Sequence, residues 1–393
     1  MKKGWQTKTL GDILEKTETV NPLQSPYAEF DYIDVSSVSN TTFEIEETQR
    51  LKGKDAPSRA RKLVRTNDII FATIRPTLQR IAVVPEHLDK QVCSTGYFVL
   101  RPKQGIDHRF VFYSLFTENF IGQMESLQKG ASYPAVTDGD VRAQEIPVPP
   151  LAEQQRIVGL LDEAFAGLAT AKANAEKNLQ NARALFESHP QSVFTQRGPG
   201  WVEKKVSEIA KHSLGKMLDK AKNKGEPQPY LRNINVRWFT FDLSDLLQMP
   251  FLPAEAEKYT AIKGDVLICE GGYPGRAAIW DEDYPIYFQK ALHRVRFHQP
   301  ELNKWFVYYL SVQDSSGQLK QHFSGTGIQH FTGEVLARFP IPVPPLPELR
   351  RAVAKFDALS EETQRLARLF ERKHAALEAL KKSLLHQAFT GEL

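Results

Sequence analysis

The same six-residue segment occurs twice in this chain, and this repeat limits what the chain can fold into. The segment Ile-Pro-Val-Pro-Pro-Leu stands at residues 146–151 and recurs unchanged at 341–346, 195 residues later. Each copy is followed by a long stretch of helical periodicity that runs to the end of its half. We therefore predict two structural units of one design, and a partner that also has two halves.

Shorter matches extend the repeat over the rest of both halves. The matched segments lie at offsets of 195 to 197 residues and are 4–5 with 200–201, 67–71 with 264–268, 80–83 with 276–279, 130–132 with 325–327, and 194–195 with 389–390. Between these anchors the two halves differ widely. A shared framework with different loops is typical of one scaffold that carries two different binding surfaces.

The composition is that of a folded protein with room for two or three domains in its 393 residues. There is no apolar run near the roughly 20 residues of a membrane span, and Met1-Lys2-Lys3 is not followed by an apolar stretch. We therefore predict neither a membrane protein nor a secretory signal. The two cysteines, Cys93 and Cys269, do not correspond in the repeat, which argues against a disulfide or a zinc site and favours the cytoplasm.

The net charge of +4 permits nucleic-acid binding but does not by itself indicate it. If DNA is the ligand, local patches or a partner must supply the remaining positive charge.

Each half begins with a region of mixed strands and helices. β-branched and aromatic runs bounded by turns predict strands at 68–72, 81–84 and 97–100, and then at 266–268 and 277–280. Apolar residues at helical spacing predict helices at 109–126 and 302–312. The two Pro-rich repeats are predicted to be extended edges that cannot continue a sheet, with a helix beginning directly after the prolines.

The stretch after each Pro-rich repeat predicts a long helix with a single apolar stripe. In the first helix the stripe is Val158, Leu161, Phe165, Leu168, Ala175, Leu179, Ala182 and Phe186, with Lys172 as one polar interruption. In the second helix it is Phe356, Leu359, Thr363, Leu366, Phe370, Lys373, Leu377, Leu380 and Leu384. A period of about 3.5 residues over four heptads predicts a coiled coil, about 60 Å long for about 40 residues. The alternative is that both are ordinary core helices of a larger domain.

These patterns predict an α+β protein with two similar α/β domains joined by two long antiparallel coiled-coil helices. The predicted boundaries are 1–150 for the first domain, 151–197 for the central helix, 198–345 for the second domain and 346–393 for the last helix. The end of the chain would lead into Gly4-Trp5 as Phe194-Thr195 leads to Gly200-Trp201. The internal repeat is therefore predicted to be circular, with a pseudo-twofold axis.

The whole chain resembles a specificity subunit of a type I restriction–modification system. The resemblance rests on the Pro-rich repeats with the following Leu-Ala-Glu-Gln-Gln-Arg-Ile at 151–157, on Asn-Asp-Ile-Ile-Phe-Ala-Thr-Ile-Arg-Pro at 67–76, and on residues 384–393. The second half departs from this pattern at Gly271–Gly275, which replaces the Thr-x-Arg-Pro turn, and at Pro347–Arg350, which lacks the Glu-Gln pair. These departures affect base choice and helix packing in detail, but not the resemblance itself.

The resemblance implies that each domain is a target-recognition domain that reads one half of a split DNA sequence. It also implies that the helices form a spacer between the half-sites and dock two modification subunits. Those subunits would carry S-adenosylmethionine and methylate adenine. Two restriction subunits can join such a complex and use ATP and Mg²⁺.

We find no pattern of an enzyme in the chain. Asn21-Pro22-Leu23 is the nearest match to an amino-methyltransferase motif and fails it, and no phosphate-binding loop is present. The glycines at 271–275 are interpreted as a tight turn after a strand. His293 and His298 are predicted to lie on opposite faces of a strand, so they are poor joint metal ligands. We predict no catalytic residue, no metal site and no cofactor in this chain.

Base reading requires Arg, Lys, Asn, Gln, Ser or Thr on loops that enter the major groove. The candidates in the first domain are Arg59, Arg61, Lys62, Arg75, Arg80, Lys129, Ser132 and Tyr133. The candidates in the second domain are Lys222, Lys224, Arg232, Asn233, Tyr273, Arg276, Lys290, Thr326, Gln329 and His330. Arg75, Tyr133, Arg276 and Gln329 are favoured because they lie on turns between matched repeat segments.

The alternative function is a non-catalytic, pseudo-symmetric scaffold whose coiled coil binds proteins and whose domains bind peptides. The scaffold function is disfavoured because the Arg and Lys residues cluster on turns rather than on helix faces. A salt-dependent affinity for duplex DNA would separate the two functions.

Overall fold

The structure, a computed structural model, describes residues 4–219, 221, 223–325, 327 and 329–393. The chain divides into two compact units. Unit 1 comprises Met1–Ala175 and Glu371–Leu393, and unit 2 comprises Glu176–Phe370. Each unit therefore combines one recognition-type domain with a part of each long helix. The four predicted domain boundaries stay predictions.

The elements of the first half are short, except for the long helix that ends it. They are β1 Gln6–Thr9, α1 Leu10–Ile13, β2 Glu29–Ile33, β3 Gln49–Lys52, β4 Ala60–Leu63, β5 Ile69–Ala72, β6 Ile81–Val83, β7 Val92–Ser94, β8 Tyr97–Leu100, α2 His108–Ser114, α3 Glu118–Leu127, α4 Asp138–Arg142, β9 Glu145–Val148 and α5 Leu151–Thr195. Short 3₁₀ turns lie at Pro22–Gln24, Val35–Ser37, Gly53–Asp55, Pro76–Leu78 and Glu86–Leu88.

The second half repeats this order with additional strands. Its elements are β10 Val202–Lys205, α6 Val206–Ile209, β11 Ala210–Leu214, β12 Glu226–Leu231, β13 Val236–Arg237, β14 Thr240–Phe241, β15 Leu247–Phe251, α7 Ala256–Tyr259, β16 Thr260–Ala261, β17 Val266–Cys269, β18 Ala277–Ile279, β19 Ile286–Phe288, β20 Leu292–Phe297, α8 Leu302–Ser315, α9 Gly333–Arg338, β21 Pro340–Val343 and α10 Leu346–Thr390. Its 3₁₀ turns lie at Asn233–Asn235, Pro253–Glu255 and Leu319–His322. The mixture of helices and sheets agrees with the predicted α+β class.

Each unit contains two main sheets of matching topology. In unit 1 the strand orders are β3-β2-β7-β4 and β6-β5-β8, and in unit 2 they are β15-β12-β19-β16 and β11-β20-β17-β18. The pairs β2–β7 and β12–β19 are parallel, whereas their neighbours are antiparallel. The Pro-rich strands β9 and β21 each pair with a single strand, β1 and β10, which agrees with their prediction as edges.

The central strand of each unit is buried on both faces. In β5, Ile69 and Phe71 face the helices, while Ile70 and Ala72 face the four-stranded sheet. In β17 the alternate residues divide in the same way between the helical core and the second sheet. Since successive side chains of a strand point to opposite faces, a strand covered on both sides has to be apolar throughout. This explains the continuous apolar runs that predicted these strands.

The predicted helix at 109–126 is wrong in one respect, because it is two helices. α2 ends at Ser114, and α3 begins at Glu118 after the N-cap Thr117, whose hydroxyl accepts a hydrogen bond from the backbone N–H of Phe120. The apolar spacing continues across the break, so periodicity alone did not reveal it. The N-cap explains why a new helix begins there.

Within each unit, the parts of α5 and α10 run in opposite directions and close the domain core. In unit 1, the ring of Phe389 packs 4.8 Å from that of Phe110, and Arg156 donates a 2.8 Å hydrogen bond to the carbonyl of Leu393. In unit 2, the ring of Phe194 packs 4.5 Å from that of Trp305. Phe194 and Phe389 are matched residues of the repeat, so an equivalent aromatic contact closes both cores.

A carboxylate on each long helix ties that helix to the neighbouring domain. In unit 1, Asp162 of α5 accepts hydrogen bonds from the Tyr113 hydroxyl and, at 2.7 Å, from the Arg109 guanidinium. In unit 2, Asp357 of α10 accepts equivalent bonds from Tyr308 at 2.9 Å and from Lys304 at 2.6 Å.

The predicted stripe on α10 is wrong at Lys373, which is exposed, and at Leu380, which is 47% exposed. The half-buried residue is instead Lys381, whose ammonium lies 4.8 Å from the ring centroid of Phe43 and 5.5 Å from that of Phe165. A straight helix has 3.6 residues per turn, so a strict 3.5-residue stripe drifts around it and the contact face shifts by one position. Burial lowers the pKa of Lys381.

No helix in the described part of the chain is long and apolar enough to cross a membrane.

A buried ion pair braces the central strand of each unit. In unit 1, the Arg101 guanidinium donates to Asp68 at 2.8 and 2.9 Å, and the Asp68 side chain is only 2% exposed. In unit 2, Arg296 donates to Asp265 at 2.6 and 2.7 Å. Asp68 and Asp265 occupy matched repeat positions. Each also accepts a backbone N–H three residues upstream, which leaves few lone pairs unsatisfied.

Replacing Asp68 with alanine should lower the free energy of unfolding by about 3 kcal/mol, because it leaves the buried Arg101 without its main partner. Urea denaturation would measure the change. The control is Asp283→Ala, which removes a carboxylate that is 89% exposed and paired with Lys263, and it should have little effect. Equal effects of the two substitutions would contradict a stabilising role for the buried pair.

Candidate nucleic-acid interface

Two loops meet beside the end of the central strand in each unit. The strand loop follows the central strand and comprises residues 73–80 in unit 1 and 270–276 in unit 2. The glycine loop comprises residues 129–135 in unit 1 and, in unit 2, the described residues between Ser324 and His330. Both loops lie at or between matched repeat segments, and all four favoured site candidates fall on them.

The two glycine loops are closed by the same backbone hydrogen bonds. Lys129 pairs with Ala135 through two 2.9 Å backbone hydrogen bonds, and Ser324 pairs with His330 in the same way. The second residue of each loop is a glycine with a positive φ, which is +107° at Gly130 and +106° at Gly325. A side chain at Gly130 would approach the carbonyl oxygen of Tyr133 to 3.0 Å. Glycine is therefore the residue that this turn accepts without strain.

Each glycine loop is joined to its strand loop by backbone hydrogen bonds. In unit 1, Val136 donates to the carbonyl of Thr73 at 2.9 Å, and Thr73 donates to that of Gly96 at 2.8 Å. In unit 2, Phe331 donates to Glu270 at 2.8 Å, and Glu270 donates to Ala291 at 2.9 Å. The framework thus holds the two loops side by side in both units, whatever side chains they carry.

In unit 1 this framework brings together Arg75, Ser132 and Tyr133. The Arg75 guanidinium lies 5.0 Å from the ring centroid of Tyr133 and donates a 3.3 Å hydrogen bond to the carbonyl of Ser132. Arg75 has a left-handed backbone (φ +51°), and its N–H donates to the carbonyl of Pro134 at 2.6 Å. That conformation costs about 1–2 kcal/mol for a non-glycine residue. Both Arg75 and Tyr133 are exposed.

In unit 2 the framework brings together Asn233, Tyr273 and Arg276. The Arg276 guanidinium lies 4.0 Å from the ring centroid of Tyr273, and its Nη2 donates to the carbonyl of Asn233 at 3.0 Å. Among the described residues, the buried Nε of Arg276 has no hydrogen-bond partner. Arg276 is half-buried, whereas Tyr273 is 61% exposed.

The glycines of the second strand loop make room for its neighbours. The Asn233 side-chain amide donates to the carbonyl of Gly271 at 3.1 Å. A Cβ on Gly271 would lie 3.1 Å from Nδ1 of His330, and a Cβ on Gly272 would overlap the Asn233 amide nitrogen. These two glycines thus leave room for the close approach of two site candidates.

The remaining candidates divide by whether their polar atoms are engaged within the domain. Lys62 binds the carbonyl of Tyr97 and the carboxylate of Asp138, at 2.6 and 2.8 Å. Three further cationic side chains have internal partners: Arg61 (the carbonyl of Ala60), Arg80 (the carbonyls of Val35, Ser36 and Val38) and Arg232 (the backbone carbonyl and carboxylate of Asp245). These contacts hold loops together, so such groups have less freedom to reach a ligand.

Besides Arg75, Tyr133 and Tyr273, the exposed candidates are Arg59, Lys129, Ser132, Lys224, Lys290 and Gln329. Lys222 and Thr326 lie outside the described residues. The predicted DNA contacts of all these residues stay predictions.

One structural residue of this region was missed by the sequence analysis, which considered His293 only as a metal ligand. Its Nε2 donates to the carbonyl of Phe331 at 3.1 Å, directly after the glycine loop, while His298 is exposed beyond the same strand. The contact joins residues far apart in the chain, so no local pattern signals it. Burial and then the charge of nearby His212 lower the pKa of His293 to about 4.

The described residues hold no group of three or more His, Cys, Asp or Glu side chains that could bind a metal ion. Burial raises the pKa of Cys93 to about 12 and that of Cys269 to about 11, so neither thiol is a nucleophile at neutral pH.

A family model and named proteins match the chain over most of its length. The model described as "Type I restriction modification DNA specificity domain" matches residues 2–179 and 199–371. The EcoKI specificity subunit of Escherichia coli is 23% identical over 326 residues, which cover 77% of this chain and 69% of that protein. The MjaVIII specificity subunit of Methanocaldococcus jannaschii is 25% identical over 333 residues, 77% of this chain and 75% of that protein.

The HindI specificity subunit of Haemophilus influenzae matches over a shorter region. It is 27% identical over 189 residues, so this match spans only 40% of the length of that subunit and 47% of this chain.

Two solved structures match the whole chain. One is a chain from a study of complex assembly and conformational transition of the type I R-M system, with a TM-score of 0.82 and 28% identity over 100% of this chain and 99% of that one. The other is the HsdS subunit from Thermoanaerobacter tengcongensis, with a TM-score of 0.73 and 29% identity over 100% and 98% of the two chains.

The low pKa of His293 predicts that unit 2 loses stability on acidification. The unfolded state binds a proton near the ordinary pKa of about 6.5, whereas the folded state resists it down to about 4, so stability falls as the pH decreases between these values. Thermal melting between pH 7.5 and pH 4.5 would measure this decrease.

His293→Gln keeps an N–H donor for the Phe331 carbonyl but cannot titrate, so its melting temperature should fall less with pH. The matched control is the exposed His298→Gln, which should keep the pH dependence of the parent protein. An unchanged pH slope in His293→Gln would contradict this account of the buried imidazole.

Proposed function

Because the chain belongs to the type I restriction–modification DNA specificity family, we propose that it is the non-catalytic subunit that selects the DNA sequence for such a complex. The supporting observation is one loop framework that occurs twice with the same backbone hydrogen bonds and different side chains. Each unit would read one half of a bipartite target with its strand loop and glycine loop. Because the same loop framework carries different side chains in the two units, each unit would recognise a different half-site.

The long helices supply the second part of the proposed function. α5 and α10 each contribute residues to both units, and Asp162 and Asp357 tie them to the neighbouring domains. We propose that they set the gap between the half-sites and dock two modification subunits. S-adenosylmethionine would bind in those subunits, and ATP with Mg²⁺ in two restriction subunits where these join. The proposed compartment is the cytoplasm.

The test is to co-express the chain with its modification subunits in a methylation-free host and to sequence the genome for N6-methyladenine. We expect one split motif with two short halves and a fixed gap. The purified complex should bind duplex DNA of that sequence with an affinity that falls steeply as salt rises. A purified complex that neither methylates nor binds DNA in this way would contradict the proposal and support the protein scaffold.

The independence of the two units can be tested in the same assay. Exchange of residues 1–150 for the corresponding domain of another specificity subunit should change one half of the motif and leave the other half and the gap unchanged. A change in both halves would show that the units do not read DNA independently.

Lengthening α5 should lengthen the recognised gap. Four helical residues inserted after Ala171 add about 6 Å to the helix. At about 3.4 Å per base pair, the gap should grow by one or two base pairs. Four residues inserted into the exposed turn Asp281–Asp283 are the control and should leave the gap unchanged. An unchanged gap after the helix insertion would contradict the spacer role of α5.

A further inference from the structure

We infer that the two units use their arginine–tyrosine pairs differently: Arg75 reads a guanine in the half-site of unit 1, whereas Arg276 is an internal brace that reads no base. The inference rests on the proposed function, and it concerns the division of labour between two sites that look alike in sequence. Each site has an arginine close to a tyrosine ring on loops of the same framework.

The Arg75 side chain is both oriented and accessible. Its guanidinium lies over the Tyr133 ring, and one nitrogen, Nη2, donates to the Ser132 carbonyl at 3.3 Å. A guanidinium has five N–H donors, so this single bond leaves most of them to a ligand. The side chain is exposed, and the Tyr133 ring that supports it is 71% exposed.

The backbone conformation of Arg75 is imposed by its neighbours, and this fixes the position of the residue. A left-handed conformation at a non-glycine residue persists only where the surroundings impose it. Here the N–H of Arg75 is bound to the Pro134 carbonyl, and the bridge between Ile74 and Ala135 holds the strand loop against the glycine loop. Pro134 and Ala135 directly follow Tyr133 in the chain, so the contacts that impose the conformation also bring the guanidinium to the ring.

An arginine presented in this way suits guanine better than the other bases. Guanine offers O6 and N7 as adjacent acceptors in the major groove, and the planar fork of arginine binds both at once. The stacked ring limits the rotation of the side chain before DNA is bound, which lowers the entropy cost of the bidentate contact.

The Arg276 side chain is bound inward instead. It is half-buried, its Nη2 donates to the Asn233 carbonyl at 3.0 Å, and its Nε is buried. Its guanidinium lies 4.0 Å from the Tyr273 ring centroid, compared with 5.0 Å between Arg75 and Tyr133. The Nε–Nη2 side of its fork therefore faces the domain rather than a base, and the exposed residue beside it is Tyr273.

The experiment uses the purified complex of the chain with its modification subunits and duplexes that carry every single base-pair substitution in the motif. The rate of adenine methylation, as kcat/KM, is measured for the parent protein, Arg75→Ala and Arg75→Lys. For Arg75→Ala we expect a loss of about ten- to a hundredfold on the parent motif. The variant should also no longer distinguish the bases at one G·C pair of a single half-site. At all other positions of the motif it should keep the base preference of the parent protein.

Arg75→Lys separates base reading from phosphate binding, because lysine keeps the charge but lacks the fork. It should restore part of the rate but not the full preference for guanine. The ring is tested with Tyr133→Phe, which should retain that preference, and Tyr133→Ala, which should weaken it. Arg50→Ala is the control, since Arg50 is exposed, lies on β3 and pairs with Glu29 and Asp31. It should leave the preference unchanged.

Three outcomes would overturn the inference. If Arg75→Ala lowers kcat/KM by the same factor on every duplex, and Arg75→Lys restores it, Arg75 contacts a phosphate. If Arg75→Ala leaves kcat/KM unchanged on the parent motif and on every substituted duplex, Arg75 does not touch DNA. Loss of preference at a G·C pair in Arg276→Met, with an unchanged melting temperature, would show that Arg276 reads a base. If the parent complex methylates no sequence at all, the proposed function itself fails, and this result is distinct from the other three.

Discussion

The burial of one strand on both faces is the constraint on which each unit depends. β5 and β17 can be covered on both sides only if a helical layer packs on one face and a second sheet on the other. The backbone that leaves this covered strand must then turn at the edge of the two layers. That edge is where the strand loop lies, and the glycine loop pairs with it through backbone groups. The position of the candidate interface is thus a consequence of core packing, whereas its chemistry is left to exposed side chains.

This separation explains how one frame can carry two different surfaces. The hydrogen bonds that pair the glycine loop with the strand loop are between main-chain atoms, and the second residue of each glycine loop is a glycine with a positive φ. The exposed residues of these loops can change without loss of those hydrogen bonds. Unit 1 has a serine and an exposed tyrosine after its glycine, whereas unit 2 has glutamine and histidine at the end of the matched loop. Selection for different ligands can therefore act on side chains without an effect on the core.

Much of the fold was predictable, because the repeat, the apolar strands and the long periodic helices are all local patterns. The break at Thr117 was not predicted, since apolar spacing continues through it, and Leu380 was misplaced because a helix drifts against a 3.5-residue repeat. The site was predictable as a region but not residue by residue. Arg80 and Arg276 look equally available in sequence, yet both are bound to carbonyls that lie far away along the chain. Long-range partners of this kind leave no local signal.

Unit 1 is formed by two separate segments of the chain and unit 2 by one, and this difference affects the order in which they fold. Unit 2 is one uninterrupted stretch, whereas unit 1 needs Glu371–Leu393 to cover the core beside Phe110. During synthesis, the contacts of unit 2 can all form before that stretch leaves the ribosome. The domain that is made first is therefore expected to be completed last, and until then it exposes the apolar surface that Leu385 and Ala388 finally bury. A nascent chain of this design would expose that surface to chaperones for most of its synthesis.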